Sequence, residues 1–157
     1  MADAIADFLS NVASQIDSKQ MKVGFIDGAT YPDGTLVSMV ASTNEFGQPE
    51  NNQPPRPFFR NAISEHEKEW GDAVARGIAA GLPVGQILEV VGAQIKGDVQ
   101  ESISQLLTPP LSPTTLHIRR TRKEGRTDST KPLVDSKVMI GDVNYEVGEI
   151  EPSQDGQ

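Results

Sequence analysis

At 157 residues, with a formal charge of −8 and no cysteine, the chain is sized for one domain. It excludes disulfides, thiolate-bound zinc and thiol catalysis, and its charge disfavours bulk nucleic-acid binding. Hydrophobic residues make up 36% and aromatics 5%, values that point to long polar segments or to a core completed by neighbouring subunits.

No run approaches the roughly 18 apolar residues of a membrane span. Asp3 and Asp7 stand where a secretory signal would carry positive charge, so the expectation is a soluble protein of intracellular origin with no signal peptide. Residues 3–18 place Ile5, Phe8, Leu9, Val12 and Ile16 on one stripe of an amphipathic helix. In residues 21–26, Met21, Val23 and Phe25 alternate with Lys22 and Gly24, the period of a strand. Asp27-Gly28 and Pro32-Asp33-Gly34 are turn signals, the second forming a loop tip. Residues 35–46 fit a short helix better than a strand, and Gly47 ends it. The Pro- and Asn-rich stretch 47–57 is expected to lack regular structure.

Residues 58–80 predict a helix with an incomplete apolar face, an acidic outer face and Gly81 as its cap. Residues 83–107 are the longest helix candidate. Pro83 suits its first position, and Val84, Ile87, Leu88, Val91, Ile95, Val99, Ile103 and Leu106 keep one stripe. Gly85, Gly92 and Gly97 each weaken such a helix by about 1 kcal/mol relative to Ala and are read as points of close backbone packing. Pro109-Pro110 stops it. Residues 108–131 have no period and read as one long loop. Residues 132–150 suggest two short strands with Gly141-Asp142 at the turn, and the acidic tail from Glu149 is expected to be mobile. The expected organisation is a single domain over 1–150 with an acidic tail at 151–157.

Little in the sequence carries catalytic chemistry. His66-Glu67 begins like HExxH, but Trp70 occupies the second ligand position; His66 is expected to be an exposed helix residue. His117 lacks a visible partner. Asp27, Asp33, Asp135 and Asp142 could form an acidic metal cluster, but Asp beside Gly is the usual chemistry of a turn. No nucleophile–base pair, metal set or cofactor motif is present, so no enzyme activity and no cofactor are expected. The main electrostatic feature is 117–131. Arg119, Arg120, Arg122, Lys123, Arg126 and Lys131 outnumber Glu124 and Asp128 there, giving a local charge of +4 and leaving −12 elsewhere.

Three segments stand in a familiar order. NEFGQPENNQPPRPFFRNAI at 44–63, LSPTTLHIRR at 111–120 and KPLVDSKVMIGDVNYEVGE at 131–149 together resemble the signature of the virion-morphogenesis family of tailed phages. These are small neck proteins described as tail-completion, tail-terminator or head–tail joining proteins. The resemblance spans about residues 20–150. The chain departs from it at Asp135-Ser136-Lys137, where the family's Asp-Thr-Gly keeps its hydroxyl but loses its glycine.

The resemblance implies an α+β subunit with a small, mostly antiparallel sheet flanked by helices. It also implies a hexameric ring in the virion, assembled in the host cytoplasm, without catalysis. The implied partners are further copies of the chain, the tail tube protein and the head connector. Within 51–60 the prolines are expected to stiffen an arm. Phe58 and Phe59 would anchor the next helix in the core, and Arg56 and Arg60 would pair with acids of the same or the next subunit. These four residues and Asp135 are the candidate interface; the plainer alternative is that the motif only fixes a loop-to-helix entry. Arg119, Arg120, Arg122, Lys123 and Arg126 are expected to face either DNA in a ring lumen or an acidic partner. The alternative function is an acidic adaptor that binds DNA or a protein through 117–131.

Overall fold

The computed structural model describes residues 2–26, 28–106, 109–123, 126 and 138–151. Asp27, Leu107, Glu124, Asp128, Lys131, Asp135 and the tail 152–157 lie outside them. In chain order the elements are α1 (Ala2–Ser18), β1 (Lys19–Phe25), α2 (Val37–Phe46), α3 (Phe58–Ala79), α4 (Val84–Gln105), α5 (Pro113–Thr121), α6 (Val138–Asp142) and β2 (Val143–Glu149). The fold is α+β: helices around one small antiparallel sheet.

α4 organises the core. Val84, Ile87, Val91, Ile95, Val99 and Ile103 recur at three- and four-residue spacing, and all are buried. α3 packs along α4, and both strands pack on it as well. The two long helices form a hairpin because α3 ends cleanly: Gly81 N–H donates to the Ile78 carbonyl at 3.0 Å and Leu82 N–H to the Gly77 carbonyl at 3.1 Å, the paired bonds of a Schellman ending. Pro83 sits one residue earlier than expected. It is the extended residue before the helix, and its carbonyl accepts from Ile87 N–H at 3.1 Å.

The sheet joins distant parts of the chain. Met21 pairs with Val147, Val23 with Tyr145 and Phe25 with Val143. A Cβ on Gly92 of α4 would come within 2.5 Å of Tyr145 Cδ2 and 2.8 Å of Met21 Sδ, so the sheet seats on the helix where a side chain is missing. Gly85 and Gly97 face open space and do not share this role.

Four expectations need correction. The stretch 108–131 is not one irregular loop, because residues 113–121 form α5. Ser112 Oγ accepts from Thr115 N–H at 3.2 Å and Pro113 occupies the first turn, a start signal that outweighs the weak periodicity behind it. Where two strands were expected in 132–150, the described residues 138–149 form one turn of helix followed by one strand. Alternation over only Val138-Met139-Ile140 cannot separate a strand from a helical turn, and the helical turn puts Met139 into the core. The stretch 47–57 contains a 3-10 turn at Pro49–Asn51. Glu149 belongs to β2, beyond which Ile150 N–H donates to the Ser18 carbonyl at 2.9 Å and Lys22 reaches Glu151 at 2.7 Å; the chain is therefore tied down past the point where a tail was expected.

Candidate functional site

The stretch 44–60 folds into a clasp around one buried carboxylate. Gly47 turns the chain out of α2 with φ 77°, and a Cβ there would meet Pro55 N at 2.8 Å. Only glycine suits both demands. Gln48 and Gln53 then exchange backbone hydrogen bonds at 2.8 and 3.0 Å, and Arg56 N–H returns to the Asn44 carbonyl at 2.6 Å. This folds the proline arm back beside the end of α2.

α3 begins after Pro57, which has no side-chain oxygen to cap it. Glu45 of α2 caps it from outside. Its Oε2 accepts from Phe59 N–H at 2.9 Å, and its Oε1 accepts from Arg60 N–H at 3.1 Å and Arg60 Nε at 2.8 Å. Arg60 Nη2 closes the ring by donating to the Glu45 carbonyl at 2.7 Å. A buried carboxylate thus satisfies orphan amides at the positive end of a helix dipole, and one fixed cation neutralises it. The composition of this stretch shows a helix without its own cap. The residue that supplies the cap, Glu45, lies in the preceding helix, and sequence reasoning gave it no role.

Phe58 is buried, with its ring edge-on to Phe25 at 6.2 Å and to half-buried Phe59 at 6.3 Å. Ser102 Oγ on α4 donates to the Phe58 carbonyl at 2.7 Å. Arg56 is also buried. Its partners among the described residues are carbonyls, where acids were expected: Nε donates to Pro109 O at 3.0 Å and Nη2 to Pro110 O at 3.3 Å. Burial, and then the charge of Arg119, hold its pKa below the usual arginine value. Of the proposed interface set, Arg56 and Phe58 face inward, Phe59 is intermediate, and Arg60 is paired within the chain. Asp135 lies outside the described residues.

The basic segment divides in two. Arg119 on α5 is buried and Arg122 half-buried, while Arg120, Lys123 and Arg126 are exposed. Arg126 Nε donates to the Arg122 carbonyl at 2.7 Å.

His66 on α3 is less open than expected. Its ring stacks on Trp70 at 6.0 Å, and Nδ1 lies 3.3 Å from Glu69 Oε2. Trp70 Nε1 donates to Asp98 at 2.7 Å. The hydrogen bond to Glu69 raises the His66 pKa above its ordinary value, aided by the charges of Asp98, Glu69 and Glu65 against a smaller opposing effect of burial. Asp33 behaves as a turn residue, accepting from Thr35 N–H at 2.9 Å. Among the described residues, no three His, Cys, Asp or Glu side chains gather as they would around a metal ion. No described helix is long and apolar enough to cross a membrane.

The chain matches no protein-family model, no curated protein and no solved structure.

Proposed function

We propose that the chain is a structural virion subunit. It forms a ring, hexameric in the simplest case, at the head–tail junction of a tailed phage, where it terminates the tail tube or joins the tail to the head connector. The observation that carries this reading is the convergence of the three resembling segments. Arg56 of the first grips Pro109 and Pro110 at the entry to the second, and the charge of the second's Arg119 acts on it. Phe58 of the first shares one core with Met139 and Val143 of the third. A pattern whose distant parts meet in space behaves as one structural unit. Exposed apolar side chains on α1 and α2 add support, because subunits of a ring finish their packing against neighbours. The proposal assigns no catalytic step.

Light scattering over a concentration series, followed by negative-stain microscopy, tests it. The expected species has six times the 16.9 kDa chain mass and a central hole. A chain that stays monomeric at every concentration, and does not join purified tails, overturns the reading.

A second reading, an adaptor that contacts phosphates or an acidic protein, is favoured by one observation: Arg120, Lys123 and Arg126 lie exposed at the end of α5. An adaptor of this kind need not form rings.

A further inference from the structure

β1 and β2 form a sheet of two strands, so each strand has a second edge that faces away from its partner. Antiparallel residues alternate between pairs that exchange backbone bonds and pairs whose N–H and C=O groups point outward. Ile150 N–H donates to the Ser18 carbonyl, and with Lys19 opposite Glu149 this fixes the phase of the alternation. Met21, Val23 and Phe25 on β1, and Val143, Tyr145 and Val147 on β2, therefore direct their backbone groups away from the sheet. Among the described residues no other backbone group bonds to them. The acceptor of Tyr145 N–H is a side chain, Asn144 Oδ1 at 2.9 Å, in the place where a third strand would offer a carbonyl. Neither strand contains proline, and the register runs over all seven residues without a bulge. Both are common devices that stop an edge from pairing further.

We propose that the outer edge of β1 in one copy pairs antiparallel with the outer edge of β2 in the next, so that the sheet continues through each junction of the ring; this rests on the ring reading above. The occupant is a second copy, because charge fits the two edges to each other and not to themselves. β1 carries Lys19 and Lys22 and no acid, while β2 carries Glu146 and Glu149 and no base. Setting β1 against β1 brings lysine beside lysine, and setting β2 against β2 brings glutamate beside glutamate; like charges across strands oppose pairing. β1 against β2 repeats the match the chain makes internally, where Lys22 lies opposite Glu146. Lys22 Nζ is taken by Glu151 at 2.7 Å. The exposed Glu146 therefore has no ion pair among the described residues and is open to a lysine of the next copy.

The two edges lie on opposite sides of one sheet, so one chain cannot join them to each other. A contact between two different edges is heterologous, the kind that propagates around an axis until it closes. Antiparallel addition also sets β1 of the next copy parallel to β1 of the first, so every copy points the same way in the ring. Main-chain hydrogen bonds supply the affinity, as in strand addition generally.

Two kinds of variant test this. In Val147→Pro the lost N–H points outward, so the pairing with β1 keeps its bonds while the outer edge loses a donor and gains a bulky ring; no rings are expected. Lys22→Glu and Glu146→Lys chains each place like charges across the junction and are expected to self-associate about tenfold more weakly than wild type. Mixed together they restore opposite charges at every junction and are expected to assemble as alternating rings. Each still has like charges across its own β1–β2 pair, so this rescue reads only the contact between chains. Thermal melts of the separate variants check that each is folded. Rings from folded Val147→Pro chains, or charge variants that do not rescue each other while wild type assembles, would remove the sheet junction and leave the ring reading standing. A wild-type chain that never self-associates, alone or with purified tails, sinks both.

Discussion

Glu45 is the residue on which the 44–60 clasp turns. Its carboxylate holds two α3 amides and the Arg60 side chain while buried. Removing it leaves amides without acceptors and a guanidinium without its counter-ion. Glu45→Ala is therefore expected to cost about 2–3 kcal/mol, and Glu45→Gln, which keeps one acceptor oxygen, less; urea unfolding of both chains measures the difference. His66 offers a test with a sign. Its folded pKa lies above the usual value because of Glu69. Its stabilisation is thus fully present below about pH 6.5 and is lost as pH rises through the raised folded value. The gap in melting temperature between wild type and His66→Ala should be largest near about pH 5.5 and smaller at about pH 8. A remainder should persist at high pH, because the stack on Trp70 does not depend on charge. A gap that widens with pH would contradict this account.

Among the elements, α4 depends most on one small residue. Gly92→Ala must displace the Tyr145 ring and Met21 from the seat of the sheet. It is expected to destabilise by about 1–3 kcal/mol despite the better helix propensity of Ala, whereas Gly97→Ala, in open space, should stabilise. Calorimetry on the two variants separates packing from propensity. Periodicity made α1, β1, α3 and α4 legible in the sequence, because each repeats its pattern over enough residues to distinguish a period of 3.6 from a period of 2; over the ten residues of α2 it favoured a helix over a strand only slightly. It was insufficient for α5 and α6. α5 is nine residues long and buries an arginine, so its inner face does not look apolar, and α6 is a single turn. The clasp was legible only in half. Phe58 as an anchor follows from its type and position. That Arg56 would bind carbonyls and Arg60 a carboxylate depends on how distant segments meet, which local spacing does not encode.

For the whole molecule, the charge contrast between α5 and the rest of the chain sets a limit on contact with DNA. Arg119 is buried and Arg122 half-buried, leaving Arg120, Lys123 and Arg126 exposed among the described cations of this segment. Binding to duplex DNA through them should therefore weaken with salt at a log–log slope of about −3 or shallower. A salt titration by fluorescence anisotropy reads this directly, and no binding at about 50 mM salt would leave an acidic protein as the partner of α5. The pairing of β1 with β2 has its own consequence for how the protein is made. Residues 19–25 find their strand partner at 143–149, so during translation the sheet must wait until residues 143–149 have left the ribosome. Closing that span costs on the order of 4 kcal/mol of chain entropy by logarithmic scaling, against a helical hairpin of α3 and α4 that needs only near neighbours. The hairpin therefore forms first and the sheet last. A nascent chain stalled before β2 leaves the Gly92 side of α4 bare, so the protein acquires its native surface only once β2 has emerged.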